Sequence, residues 1–134
     1  MLLYSSLPNR SDFLRVRHQG VSAGRAGLIL QLAIQPSVFS KRHNYKPHTH
    51  RVGVTATKKL GNAVIRNRAK RRLRMIANEF IMQEPAARKY LFDMVLIARH
   101  QTLDHDWQRL GGEACSALRQ CLDKLSKQTN SNPS

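Results

Sequence analysis

The sequence predicts an α+β fold, one mixed β-sheet with helices packed on it. Helical spacing of apolar residues recurs over 62–83 and 104–127, and strand character over 27–34, 51–57 and 92–98. These stretches follow one another as helix, strands, helix, strand, helix, which suits an αβ sandwich. At 134 residues the chain makes one domain, able to bury roughly two-thirds of its unfolded surface. That domain spans residues 1–127, and the polar stretch 128–134 reads as a disordered tail.

"NRSDFLRVRHQG" (9–20) reads as a short helix with Ser11 or Asp12 as its cap, Phe13 and Val16 one turn apart, and Gly20 as its stop. "GLILQLAI" (27–34) is too short for a typical helix and lies between glycines and Pro36, as a strand or strand pair would. Residues 35–50 hold two prolines and no steady period, so they predict a long loop. "RVGVTAT" (51–57) alternates with the period of a half-buried strand.

Gly61 and Asn62 mark a turn, with Asn62 as N-cap of a helix running to about Gln83, ahead of Pro85. "FDMVLIA" (92–98) is apolar throughout, as a central strand covered on both faces would be. Asp104 is the expected cap of a last helix running to about Lys127. In that helix Trp107, Leu110, Ala114, Leu118, Leu122 and Leu125 form one stripe, weakened locally by Gly111 and Gly112.

Composition narrows the partners. Twenty-three Lys and Arg against eight Asp and Glu give a net charge of +15 and a pI near 11.1, yet 41% of residues are hydrophobic. Enough apolar residues for a core exclude a disordered basic tail, and the charge attracts polyanions, nucleic acid before anionic membrane. No apolar run approaches the 18 or so residues of a spanning helix, and "MLLYSSLPNR" is too short in its apolar part for a secretion signal, so a cytoplasmic protein is expected. Cys115 and Cys121 are not spaced as a CxxC motif and read as half-buried thiols in a reducing compartment.

The charge concentrates in "KKLGNAVIRNRAKRRLRMI" (58–76). On a helix Ile65, Ala69, Leu73, Ile76 and Phe80 share one narrow face, while Arg66, Arg68, Lys70, Arg71, Arg72 and Arg74 occupy the rest. A solvated face laced with ion pairs needs acids, and none precedes Glu79 within the helix, so the cations call for an external anion. Lys58 and Lys59 stand just before the helix start, where free N–H groups also suit a phosphate. Arginine outnumbers lysine, which favours bidentate phosphate contacts.

"TKKLGNAVIRNRAKRRLR" (57–74) resembles the signature of the protein subunit of bacterial ribonuclease P, an Arg-Asn-Arg helix after a Lys-Lys-hydrophobic-Gly-Asn-Ala turn. Asp12-Phe13, Gly20, "RVGVTATKK" and "DMVLIAR" fall in step with it over about 115 residues. The resemblance implies a two-layer αβ sandwich with a four-stranded mixed sheet, in the order α-β-β-β-α-β-α. Its βαβ crossover would be left-handed, against the usual right-handed rule.

It also implies a function: endonucleolytic removal of the 5′ leader of precursor tRNA, with the chemistry in a large RNA subunit. Mg²⁺ would act through the RNA complex, and the protein alone would be a monomer with no bound cofactor. Lys58, Lys59, Asn62, Arg66, Asn67, Arg68, Lys70, Arg71 and Arg74 would contact the catalytic RNA. Phe13, Arg17, Leu30 and Gln31 would line a leader cleft between the first helix and the sheet. Where the family has a second aromatic residue four positions after Phe13 this chain has Arg17, and its sheet offers Leu28, Leu30 and Gln31 in place of aromatics. Charge then carries more of leader binding than stacking does.

Other functions find less support. A nuclease acting alone needs clustered carboxylates, and only Asp104 to Asp106 cluster, with Asp104 read as a cap; no catalytic residue is assigned. His43, His48 and His50 lack a Cys or carboxylate to complete a ligand set, so no metal residue is assigned either. A ribosomal or chaperone-like RNA-binding protein fits the composition equally well, and only the motif separates it.

Overall fold

The computed structural model describes residues 3–35, 49–88 and 90–130. Strand β1 (Ser5–Ser6) is followed by α1 (Arg10–Gln19), β2 (Val21–Gly24), β3 (Leu28–Ile34) and β4 (Arg51–Thr55). A 3₁₀ turn (Lys58–Leu60) leads into α2 (Ala63–Ile76), and β5 (Phe92–Ala98), the short α3 (Gln101–Asp104) and α4 (Trp107–Asn130) complete the chain. The sheet has five strands in the order β1-β4-β5-β3-β2, one more than the resemblance implies. The extra strand is β1, two residues paired in parallel with Arg51 and Val52, too short to carry a periodic signal.

β4 and β5 are parallel neighbours joined through α2, the βαβ unit in question, while β3 runs antiparallel to both β5 and β2. Alternation sorts the side chains. Leu28, Leu30, Leu32, Met94 and Leu96 pack with Ala69, Leu73 and Ile76 of α2 and Leu110, Ala114 and Leu118 of α4 in the main core. Ala33, Val95 and Ile97 face the other way, packing with Leu7, Phe13 and Val16 under α1. Helices on both faces of β5 explain its unbroken apolar character.

The helix ends depart from expectation in three places. The N-cap position of α1 is Asn9, whose side chain makes no cap hydrogen bond, and not Ser11 or Asp12, which lie inside the helix, the Asp12 carboxylate against Arg51. Asp104 lies inside α3, and Asp106 caps α4 instead by accepting from the Arg109 N–H at 2.7 Å. The regular turns of α2 end at Ile76, beyond which one wider π turn spans Ala77–Ile81. That turn delivers Phe80 onto Gly111, where an added Cβ would lie 2.4 Å from the ring. Gly111 is therefore a seat for an aromatic ring, and α4 runs through it to Asn130, three residues past Lys127. Residues 131–134 lie outside the described residues.

Candidate nucleic-acid interface

The interface begins at a turn that only glycine accommodates easily. Gly61 has φ 153°, and a Cβ there would press on the Ile65 side chain. The next residue, Asn62, accepts from the Ile65 N–H through Oδ1 at 3.0 Å and starts α2, as expected. Ala69, Leu73 and Ile76 are fully buried, and Ile65 and Phe80 half-buried, so the apolar face docks as its spacing requires.

Docking this face fixes where the cations go. Lys58, Lys59, Asn67, Arg68, Arg71 and Arg74 are exposed, and Arg66 and Lys70 half-buried. Among the described residues none of these cations has a carboxylate partner; the ion pairs lie elsewhere, around Arg15, Arg51, His105, Arg109, Arg119 and Lys127. The structure thus brings together the helix residues singled out from sequence, with Asn62 serving as the cap that orients them.

Arg72 is an exception to the free basic face. Its guanidinium donates to the carbonyls of Leu103 (2.9 Å) and His105, and its carbon lies 5.6 Å from the centre of the Trp107 ring. It fastens α2 to the corner between α3 and α4. At the far end the Tyr4 hydroxyl donates to the Arg74 carbonyl at 3.1 Å, tying the β1 segment to the last turn.

On the opposite face of the sheet a cleft of about 380 Å³ runs along α1, lined among others by Phe13, Leu14, Arg17, Gln31, Thr55 and Ile97. The structure brings Phe13, Arg17 and Gln31 of the expected leader cleft together. Leu30 does not belong with them. It is fully buried in the core under α4, as is Leu28, because a strand's successive side chains point to opposite faces. Phe13 lies against Gly53, where a Cβ would fall 2.4 Å from the ring, so the glycine makes room for the aromatic floor of the cleft.

What holds α1 in place went unread in the sequence. Arg51 is buried under the helix and donates to Asp93 from Nε at 2.8 Å and from Nη2 at 2.5 Å, and to Asp12 at 3.3 Å. Arg15 also pairs with Asp93. Two acids and two arginines from α1, β4 and β5 thus form one network. Its only sequence signal is an Arg and an Asp at paired positions of two apolar strands.

Cys115, Cys121 and His50 line neither the α1 cleft nor the basic face of α2. Burial pushes the Cys115 thiol up and the Cys121 thiol up to about 11. His50 stacks on Phe92 with ring centres 3.8 Å apart, and its Nδ1 accepts from the Phe92 N–H at 3.2 Å. Burial lowers its pKa. His43 and His48 lie outside the described residues. Among the described residues no three His, Cys, Asp or Glu side chains gather as a metal site would require, and no helix is long and apolar enough to cross a membrane.

Comparison with known proteins gives a consistent family. The sequence profile described as Ribonuclease P matches residues 4–125. A ribonuclease P protein component of Erythrobacter litoralis is 37% identical over 114 residues, 85% of this chain and 83% of the relative. One from Paramagnetospirillum magneticum is 38% identical over 84% of this chain and 79% of its own. The solved ribonuclease P protein from Thermotoga maritima superposes with a TM-score of 0.62 over 89% of this chain and 96% of that one, at 21% identity. That from Staphylococcus aureus reaches 0.58 over 90% and 94%, at 22% identity. At such identities the solved structures speak for the fold alone.

Proposed function

Because this chain belongs to the bacterial ribonuclease P protein family, we propose that it binds the catalytic RNA of ribonuclease P through α2 and the 5′ leader of precursor tRNA through the α1 cleft. By holding both it assists endonucleolytic removal of the leader in the cytoplasm, and the protein by itself is a monomer. The observation that carries this reading is the outer face of α2. A helix docked by Ala69, Leu73 and Ile76 presents Arg66, Arg68, Lys70, Arg71 and Arg74 with no carboxylate partner among the described residues. Such a surface is stabilised by a polyanion and by little else the chain contains.

Mg²⁺ belongs to the RNA in this reading, and the protein's own groups do not fit it. The two acids buried beneath α1, Asp12 and Asp93, are both taken by Arg51. The protein's share is electrostatic: it lets two polyanions approach and positions the leader. Reconstitution tests this directly. A bacterial ribonuclease P RNA at low Mg²⁺ should cleave precursor tRNA faster with the protein than without it, and the protein alone should cleave nothing. No gain on adding protein would overturn the proposal. Recovery of ribosomal RNA in place of one large ribonuclease P-type RNA at low salt would point to general RNA binding.

A further inference from the structure

The basic face of α2 is not uniform. Arg66, Lys70 and Arg74 follow one line along the helix, four residues apart, while Arg68, Arg71, Arg72 and Met75 follow another. The second line forms one wall of a groove whose other wall is Leu103 and Trp107, with a volume of about 290 Å³. The cleft under α1 shares no lining residue with it.

Three features set this groove apart from a plain cationic surface. Met75, 47% exposed, puts an apolar side chain among the arginines, where a helix built only for phosphate contact would have no use for one. Arg72 lies over Trp107 and is fixed by two backbone carbonyls, so an aromatic ring and a planar guanidinium stand ready in one place. Arg68 and Arg71 stay exposed at the rim without a carboxylate partner. An apolar, planar-walled slot with cations at its mouth matches an unpaired nucleotide, whose base seeks stacking surfaces while its phosphates seek guanidinium groups.

We propose that this groove takes an unpaired nucleotide of the RNA bound by α2, its base against Met75, Leu103 and the Arg72–Trp107 pair and its flanking phosphates on Arg68 and Arg71. The inference rests on the reading that α2 binds the catalytic RNA. It adds that α2 does more than follow a backbone: it selects a place where the RNA offers a base outside its helices, which phosphate contacts alone would not do.

The chain supplies its own probe, since Trp107 is the single tryptophan. Bacterial ribonuclease P RNA is titrated into the full-length protein while Trp107 emission, its quenching by acrylamide and RNA retention on filters are followed together. Binding is expected to quench the emission and shield Trp107 from acrylamide with the same midpoint as retention. A duplex RNA without unpaired residues should leave Trp107 unaffected. Met75→Ala, which alters an exposed side chain and keeps the fold by circular dichroism, should weaken RNA binding roughly tenfold and return acrylamide access. RNA retained at full affinity with emission and access unchanged would overturn the groove and leave the wider reading intact. Absence of retention altogether would overturn both.

Discussion

Arg51 lays its guanidinium along both carboxylate oxygens of Asp93, Nε to Oδ1 at 2.8 Å and Nη2 to Oδ2 at 2.5 Å, with both side chains out of solvent. The two residues are partners in the parallel register of β4 and β5, so the sheet itself sets the pair. Asp12 and Arg15 of α1 close on it from above. Removing one partner leaves a buried charge uncompensated, which costs far more than the pair contributes against apolar residues of the same size. Asp93→Ala should lower stability by about 3–5 kcal/mol in urea unfolding. The double change Arg51→Met with Asp93→Leu should recover only part of that loss, because it takes the Arg51 contact away from the buried Asp12. An unchanged midpoint for the single variant would mean that the network does not hold α1.

The same network keeps α1 at a fixed height over the sheet, and with it the cleft that Phe13, Arg17 and Gln31 line. Arg17 stands where an aromatic residue was expected, and it is exposed. Arg17→Ala should therefore weaken binding of leader-bearing precursor tRNA more than of leaderless tRNA in the reconstituted complex. Gly53→Ala probes the cleft from below, because its methyl would meet the Phe13 ring. It should cost about 1–3 kcal/mol of stability and show the same selective loss. Equal losses for both substrates would remove the leader from this cleft.

Sequence showed the parts of the fold that depend on local periodicity and missed those that depend on distant pairing. The α2 stripe of Ile65, Ala69, Leu73 and Ile76 and the Asn62 cap are local, and the structure places them as expected. In β3 the period of two already puts Leu30 and Gln31 on opposite faces, so one strand could not give both to one cleft; which face α1 would cover depends on packing that no local pattern shows. The Asp12, Arg51 and Asp93 network joins residues far apart in the chain, and each looks unremarkable alone. Arg72 reads like its neighbours on a helical wheel, and only the α3–α4 corner makes it structural.

His50 carries a pH dependence that its geometry explains. Its Nδ1 accepts from the Phe92 N–H, which fits the neutral ring. Burial lowers the pKa below the ordinary 6.5, and the Ala87 carbonyl and Asp93 only partly offset this. A lowered folded-state pKa means that the unfolded chain takes up the proton first. The stability His50 contributes is then present above 6.5 and lost as pH falls below that value toward its folded pKa. Thermal unfolding between pH 7.5 and 5 should show this decline, and His50→Gln should flatten it. An identical slope in the variant would assign the decline to other groups.

Salt separates the electrostatic reading of α2 from any other, because each phosphate neutralised by a side chain releases counterions whose cost rises with ionic strength. With about six phosphate contacts, RNA affinity should fall on the order of 10³-fold between 50 and 200 mM salt. Arg71→Ala removes one exposed cation without touching the buried stripe. It should weaken binding uniformly across RNA sequences and reduce the slope of the salt plot by about one. Arg72→Ala should behave differently, since its guanidinium is held by the Leu103 and His105 carbonyls and lies over Trp107. Its loss should lower the unfolding midpoint and leave the slope nearly as in the unaltered protein. A flat salt response in the unaltered protein would contradict the assignment of α2 as a polyanion surface, whatever the RNA.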